Sequence, residues 1–337
     1  MAIHLPLFET FPGLAGALPH RALGHWPTPV QRAWRFGTTI GCSQFWIKRD
    51  DQTHPLCGGN KVRALEFLLG QAQPYQTLLM VAPEGSNHLV ATAYHAAQFG
   101  QRVVAVTFPQ PRTEQVEQNL RLVQRWGVEM HRAGSLASLP RLLWQVWRDL
   151  EQRDGAPPYW MPLGGTSPLS SLGYVNAALE LAEQVRVGQM PPPDALFVAV
   201  GSGGTLAGLL LGIRLAGLAT EVIGVRVTTR LFANAPRIAW IYNRTRALIA
   251  RHHPGPLAAP RLRPGDLFLR QDCCGRGYGF PTPSGAALGA RLVREERIAL
   301  EGTYTAKALD GLVRTVQERR WQKRVILFWN TYGKPAI

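Results

Sequence analysis

Cysteine is scarce in this sequence, with four residues in a chain of 337. Cys42, Cys57, Cys273 and Cys274 form no C-x-x-C pair and no regular framework of the kind found in disulfide-rich or zinc-binding proteins. We therefore expect reduced thiols in a cytoplasmic protein and no metal site. Residues 1–9 lack a basic start followed by an apolar stretch, so they predict no secretory signal.

Long apolar runs are also missing, and none reaches the roughly 18 residues that a membrane span needs. Acidic residues are few, 22 against 37 basic ones, which gives a formal net charge of +15. Residues 222–265 contain eight arginines and no Asp or Glu. Such a stretch can attract nucleic acid or an acidic substrate. Because apolar residues lie between these arginines and no nucleic-acid motif is present, we favour a solvated basic face and keep a nucleic-acid binder as the alternative.

Short β-branched or apolar runs alternate with helical patterns along the whole chain. Strands are predicted at 45–48, 78–82, 103–107, 128–131, 159–162, 196–200, 222–227, 267–269 and 325–329, and helices at 62–69, 89–99, 113–126, 136–150, 173–184, 206–216 and 284–293. This alternation predicts an α/β fold with mostly parallel sheets flanked by helices. In such folds, ligands bind where strand carboxyl ends lead into helices, so chemistry is expected in those loops.

A glycine-rich loop, Gly201-Ser202-Gly203-Gly204-Thr205, follows the predicted strand at 196–200 and opens the next helix. Glycines let the backbone approach an anion, the helix start offers free N–H groups, and the two hydroxyls add donors. The spacing matches neither a nucleoside triphosphate loop nor a dinucleotide site. The pattern predicts a phosphate cup, and a turn needed only for packing is the alternative.

Lys61 begins another predicted helix, after Asn60, which is expected to cap it. A lysine there is disfavoured, because the positive end of the helix dipole lies beside it. The same field, together with partial burial, lowers the pKa and leaves the neutral amine that a nucleophilic lysine needs. Taken alone, however, Lys61 is interpreted as an ordinary solvated surface lysine.

Three further segments carry polar groups in predicted loops. Ser86 and Asn87 lie between a strand and a helix, where plain helix capping is the simpler interpretation. Tyr278 lies between two glycines, and Tyr304 lies in a polar loop. His88, on the helix after Asn87, is interpreted as a packing residue.

Taken in order, these segments resemble the 1-aminocyclopropane-1-carboxylate deaminase and D-cysteine desulfhydrase family. The resemblance runs from about Pro27 to Gly333 and rests on residues 58–69, 86–88, 164–169, 200–205, 277–279 and 304–308. It implies a two-domain fold-type II pyridoxal phosphate enzyme, tryptophan synthase beta-like, acting on a small amino acid and forming a homodimer. Residues 1–57 and 165–337 would form a large cofactor-binding domain, and residues 58–164 a small domain that closes over the cleft.

The resemblance also implies a role for each matching residue. Lys61 would carry pyridoxal phosphate as an imine, and Asn87 would bond its ring hydroxyl. The phosphate would be held by Ser202, Gly203, Gly204 and Thr205. Ser86 would face the substrate, and Tyr278 and Tyr304 would stand over it. In the implied reaction, Lys61 is freed by the substrate amine and removes the α-proton. A β-substituent then leaves, and a keto acid and ammonia are released.

Thr305 separates two activities within this family. The cyclopropane-acid deaminases carry Glu directly after the second tyrosine, whereas this chain has Thr305, as D-cysteine desulfhydrases do. A neutral partner for the pyridine nitrogen, from Thr305 or from Thr331, suits α,β-elimination. We therefore expect a D-cysteine desulfhydrase-like lyase. A cyclopropane-acid deaminase, classed as a hydrolase, a divergent family member and an idle cofactor-binding homologue are the alternatives.

The sequence departs from the family on the substrate side. Gly85 stands where the family has Gln before Ser-Asn. Near the C-terminus, a His-Thr-Gly-Gly-like end reads Asn330-Thr331-Tyr332-Gly333. Because these changes surround the substrate and not the cofactor, they affect the choice of amino acid.

Overall fold

The computed structural model describes residues 5–336, so residues 1–4 of the segment read for a secretory signal lie outside it. The strands are β1 (Val30–Arg32), β2 (Gln44–Arg49), β3 (Thr77–Pro83), β4 (Arg102–Phe108), β5 (Glu129–Arg132), β6 (Tyr159–Met161), β7 (Ala195–Val200), β8 (Glu221–Arg226), β9 (Phe268–Arg270) and β10 (Val325–Asn330). The helices are α1 (Pro6–Thr10), α2 (Trp34–Thr39), α3 (Lys61–Gln71), α4 (Asn87–Ala97), α5 (Glu114–Arg125), α6 (Leu139–Asp154), α7 (Leu172–Arg186), α8 (Gly204–Leu215), α9 (Ala235–Ala250), α10 (Pro283–Glu296) and α11 (Thr305–Glu318).

Six strands form the larger sheet, in the order β1-β2-β10-β7-β8-β9. β1 is antiparallel to β2, and the other neighbours are parallel. All six residues of β7 are buried, as expected for a central parallel strand that is covered on both faces. One apolar core packs α7 and α8 against one face of this sheet, and a second packs α11 against the other. The larger sheet thus provides a rigid base for the loops at its strand ends.

Four strands, β5-β4-β3-β6, form a smaller, wholly parallel sheet. Its strands span residues 77–161, inside the segment predicted to form the small domain. The predicted domain boundaries themselves stay a prediction. Together, the two sheets confirm the expected α/β class with mostly parallel strands.

Each predicted strand and helix overlaps an observed one. The largest shift is in α6, which was expected at 136–150 and is found at Leu139–Asp154. Pro140 lies in its first turn, and Gly155 ends it in the left-handed conformation with φ 66°. Proline near a helix start and glycine just past its end are the positions that these residues favour, so they fix the helix between them.

Helix α11 was missed, because residues 303–305 were interpreted as a polar loop. Thr305 instead begins the helix, whose buried face contains Ala308, Leu309 and Leu312. This spacing of apolar residues is that of an amphipathic helix. The error matters for the site, since the second predicted tyrosine, Tyr304, is therefore held at a helix start.

The basic stretch at 222–265 is not one solvated face. Arg226 is buried at the end of β8, and Arg237 lines the cavity described below. Arg244 and Arg251, further along, are exposed as expected.

Among the helices of residues 5–336, none has the length and apolar character that a membrane span requires.

Candidate active site

A cavity of about 270 Å³ lies between the two sheets, at the carboxyl ends of β3, β7 and β10. The predicted site residues that line it are Lys61, Ser86, Asn87, Ser202, Gly203, Thr205, Tyr278, Tyr304 and Thr331. Gly204 and Thr305 are not among the residues that line it. The fold therefore brings most of the predicted residues to one place, although they are distributed over 271 positions of the chain, from 61 to 331.

Lys61 is the first residue of α3, and its Nζ donates to the Gly164 carbonyl oxygen at 2.8 Å. Burial lowers the pKa of Lys61 to about 8, because the charged amine is poorly solvated there. Asn60 was expected to cap the helix, but its side chain makes no capping hydrogen bond. Its Nδ2 instead donates to Thr205 Oγ1 at 3.0 Å, which ties the lysine loop to the glycine-rich loop. The cavity thus holds an amine of lowered pKa beside an anion-binding loop.

The glycine-rich loop has the geometry of an anion cradle. Gly203 has φ 94°, a left-handed value that favours glycine, and the 12-residue helix α8 starts directly after it. A Cβ on Gly204 would lie 2.9 Å from Thr166 Cγ2, so the loop admits no larger residue there without movement. Free N–H groups, the hydroxyls of Ser202 and Thr205, and the positive dipole end all favour a phosphate.

Ser86 and Asn87 occupy the start of α4. Ser86 Oγ accepts from the His88 N–H at 3.2 Å, so the capping interpretation holds for Ser86 while the same residue lines the cavity. Asn87 Oδ1 accepts from Asn119 Nδ2 at 2.8 Å. This contact leaves the amide nitrogen of Asn87 as the group that can donate to a ligand.

Tyr278 and Tyr304 face each other, with their hydroxyl oxygens 2.8 Å apart and their rings at an interplanar angle of 79°. Burial raises the pKa of Tyr278 to about 12 and that of Tyr304 well above its usual value. Both phenols are therefore neutral, and one of them donates to the other. The pair can still offer one hydroxyl proton to a ligand.

Thr305 is fully buried, and its hydroxyl is engaged by the protein. The Glu301 N–H donates to Thr305 Oγ1 at 2.9 Å, and the Glu301 carboxylate accepts from the N–H groups of Thr303, Tyr304 and Thr305 at 2.7–2.8 Å. Glu301 lines the cavity, and burial raises its pKa. The role predicted for Thr305 at the ring nitrogen stays a prediction, as does that of Thr331.

Several cavity residues were not foreseen as part of the site, and two of them, Glu301 and His88, carry ionisable groups. Glu301 would have been recognisable as an acidic residue at a helix start, had α11 been predicted. His88 was interpreted as packing, but it lines the cavity, and its Nε2 has no hydrogen-bond partner within residues 5–336. Burial and the neighbouring Lys61 hold the pKa of His88 well below its usual value, so the ring is neutral.

The pyridoxal-phosphate dependent enzyme family matches residues 21–331. This chain belongs to that family. A D-cysteine desulfhydrase from Serratia proteamaculans (strain 568) is 33% identical over 318 residues, which cover 92% of each chain. One from Salmonella choleraesuis (strain SC-B67) is 32% identical over 319 residues, which cover 92% of this chain and 93% of the relative.

The fold of the family is also found in solved structures. A 1-aminocyclopropane-1-carboxylate (ACC) deaminase homologue superposes with a TM-score of 0.82 at 29% identity, covering 99% of this chain and 96% of the other. A threonine deaminase isoform from Solanum lycopersicum, at 15% identity and a TM-score of 0.64 over 98% of this chain and 90% of the other, shares the fold alone.

These matches confirm the predicted family, fold class and cofactor, and the expected class of a pyridoxal-phosphate-dependent lyase or deaminase. They give no support to the hydrolase class that was expected for the alternative reaction.

The residues of this family member fit pyridoxal phosphate on their own chemistry. A Cβ on Gly201 would lie 2.9 Å from Tyr304 Cε1, so the loop is shaped for close approach. Arg237, whose Nε donates to the Ser202 carbonyl oxygen at 3.3 Å, adds a positive charge to the cavity lining. A dianionic phosphate, an aldehyde and a ring hydroxyl therefore each have a matching group: the loop, Lys61 and Asn87.

Proposed function

We propose that this enzyme catalyses α,β-elimination on a small amino acid, with D-cysteine as the leading substrate. The products would be a 2-keto acid and ammonia, together with sulfide when the substrate is cysteine. The observation that carries the proposal is Lys61, a partly buried amine whose pKa is lowered to about 8, beside the proposed phosphate cradle. The preference for D-cysteine rests on the two D-cysteine desulfhydrases that are similar over 92% of this chain.

The cofactor side of the cavity supplies binding and orientation. Lys61 would hold the cofactor, and Ser202, Gly203, Gly204 and Thr205 would bind its phosphate at the start of α8. When bound, pyridoxal phosphate supplies an electron sink for the α-carbon of the substrate. Asn87 would donate its amide N–H to the ring hydroxyl oxygen. Lys61 would take the α-proton of the substrate as a neutral amine, the form that its lowered pKa favours.

The substrate side supplies orientation and a proton for the leaving group. Ser86 binds the substrate carboxylate at the start of α4, where the helix dipole also favours an anion. Tyr278 and Tyr304 would stand over the substrate. The hydroxyl that accepts the mutual hydrogen bond keeps its own proton available, and this proton would go to the departing thiolate.

Thr305 and Thr331 are the neutral groups that we propose for the ring nitrogen. A neutral partner keeps the ring less electron-poor, which suits loss of a β-substituent.

One observation favours the second candidate activity, deamination of a cyclopropane amino acid. Glu301 places a buried carboxylate in the cavity lining, and the ACC deaminase homologue has a similar structure. Both candidates use the same lysine and the same cradle.

A direct experiment tests the first proposal. The purified protein should be yellow after incubation with pyridoxal phosphate, and borohydride reduction should fix the label on Lys61. A panel of D- and L-amino acids is then scanned for keto acid release, with Lys61→Ala as the inactive control. Labelling at another lysine, or a protein that stays colourless, contradicts the proposed site. Reaction with the cyclopropane acid alone selects the second candidate, and labelling without any turnover selects the idle homologue.

We also propose that residues 58–164 form a small domain that closes over the cleft, and that the enzyme is a cytoplasmic homodimer. The smaller sheet lies within this segment, and all four cysteines are free, as in a reducing compartment. Light scattering of the purified protein should give twice the chain mass. A mass equal to that of one chain contradicts the dimer.

A further inference from the structure

A row of amide side chains connects the end of the larger sheet with Asn87. The Tyr332 hydroxyl, just after β10, donates to Gln115 Oε1 at 2.6 Å. Gln115 Nε2 donates to Asn119 Oδ1 at 2.9 Å, and Asn119 Nδ2 donates to Asn87 Oδ1 at 2.8 Å. Gln115 and Asn119 lie one turn apart on α5, so they share one face of that helix.

The direction of these hydrogen bonds is fixed by one backbone group. Asn119 Nδ2 also donates to the carbonyl oxygen of Gly85 at 2.7 Å, and a carbonyl oxygen can only accept. The amide nitrogen of Asn119 must therefore face Gly85, and its two hydrogens serve Gly85 and Asn87. It follows that Asn119 Oδ1 accepts from Gln115 and that Gln115 Oε1 accepts from Tyr332.

The same logic orients Asn87. Since Asn119 offers it a donor, Asn87 must turn its oxygen towards Asn119. Its amide nitrogen is then left for the cavity, which Asn87 lines. Asn119 is almost fully buried, at 1% exposure, so water does not compete for its contacts. A ligand atom at this position must accept a hydrogen bond, as the ring hydroxyl oxygen of pyridoxal phosphate does.

Tyr332 joins this row to the lysine loop. The residue is 6% exposed, lines the cavity and forms a backbone bridge with Gly59. The neighbouring Thr331 carbonyl oxygen accepts from the Asn60 N–H at 3.1 Å. The segment after β10 thus contacts both the loop of Lys61 and, through α5, the residue opposite the ring hydroxyl.

We propose that Asn119, with Gln115 and Tyr332 behind it, is a positioning relay that holds the Asn87 amide nitrogen towards the ring hydroxyl oxygen of the cofactor. The relay rests on the proposed role of Asn87, and it extends that role to three residues that act through Asn87. It also gives Tyr332 a function, in a segment where this chain departs from the family pattern. Donation to the ring oxygen favours its ionised form, and the colour of the bound cofactor reports that form.

The test uses the full-length protein loaded with pyridoxal phosphate. In Asn119→Asp, the carboxylate cannot donate, so Asn87 turns its amide nitrogen towards residue 119 and its oxygen towards the cavity. We expect the cofactor's long-wavelength absorption band to be replaced by the short-wavelength band, and its dissociation constant to rise about tenfold, as for the loss of 1.4 kcal/mol. Tyr332→Phe removes one hydroxyl from the far end of the relay and should produce the same changes to a smaller extent.

Gln118→Ala is the matched control, because Gln118 lies on α5 and bonds Glu114 away from the cavity. A folded Asn119→Asp protein with the absorption and cofactor affinity of the parent overturns the relay. If Asn119→Asp fails to fold, Tyr332→Phe decides in the same way. A parent protein that never binds pyridoxal phosphate overturns the proposed function instead, so the two failures are distinguishable.

Discussion

The proposed cofactor side and the proposed substrate side of the cavity are built in different ways. The cofactor side consists of a glycine-rich loop and two helix starts, so backbone N–H groups and short side chains would do the binding. The proposed substrate side consists of large side chains from separate segments, namely Tyr278, Tyr304 and Glu301. Binding by backbone groups needs glycine at fixed positions, so it produces a local sequence pattern. Side chains that come from distant segments of the chain produce no such pattern.

The largest expected effect lies at the residue that belongs to both sides. Lys61→Ala removes the amine that is proposed to hold the cofactor and to move the α-proton. We therefore expect kcat to fall about ten-thousandfold, the upper range for one acid–base group. Steady-state keto acid release is the measurement, with Lys61→Arg as a variant that keeps the positive charge. An Arg variant with parental activity would show that charge alone is required.

On the substrate side, Tyr304→Phe removes a proton donor and leaves the ring in place. We expect kcat to fall about a hundredfold while cofactor affinity stays unchanged, because acid catalysis contributes about this much. The control is Tyr159→Phe, on β6 of the smaller sheet, which removes a hydroxyl that donates to Gln71 Oε1 on α3. A loss of cofactor affinity in Tyr304→Phe would place this tyrosine on the cofactor side and break the comparison.

The pKa of Lys61 gives a pH dependence with a defined sign. Burial lowers this pKa from 10.5 to about 8, so the amine is neutral above that pH and charged below it. The rate at which cofactor-free protein takes up pyridoxal phosphate should fall about tenfold per pH unit below the pKa and level off above it. Stopped-flow absorbance at several pH values measures this rate. A profile that levels off only near the ordinary lysine pKa would contradict the effect of burial.

On the cofactor side, Gly203→Ala tests the cradle. The backbone there has φ 94°, and a Cβ would lie 2.8 Å from Ile238 Cγ1. We expect the affinity for pyridoxal phosphate to fall about tenfold, since a left-handed alanine costs about 1–2 kcal/mol before any clash. Gly217→Ala is the matched control, with φ 68° just past the other end of α8 and open space around its Cβ. Equal losses in both variants would mean that backbone strain alone is measured.

The contrast between the two sides also explains what the sequence could predict. Lys61, Ser86-Asn87 and the loop at 201–205 each follow a strand and open a helix, so their positions follow from the α/β pattern. Glu301 was not foreseen, because helix α11, whose first N–H groups it accepts, was not predicted. Tyr332 was noted only as a departure from the family pattern, because its role depends on a contact with a residue distant in the chain. Tyr332 meets Gln115, 217 positions away, and no local pattern predicts that contact.

The smallest expected effect is that of Glu301→Gln, which distinguishes a structural role of this carboxylate from a role in the reaction. Its carboxylate accepts three N–H groups at the start of α11, and Gln, with one acceptor oxygen, cannot satisfy them all. For Glu301→Gln we expect the free energy of unfolding to fall by about 1 kcal/mol, the net value of one hydrogen bond, measured by urea denaturation.

Turnover of D-cysteine by Glu301→Gln should stay close to that of the parent, because Thr305 and Thr331 are the groups proposed for the ring nitrogen. The exposed Glu117→Gln, on α5, is the control for loss of a charge. If Glu301→Gln keeps its stability but loses turnover, the carboxylate acts on the cofactor. The ring nitrogen would then have an acidic partner, and the deaminase reaction would become the better proposal.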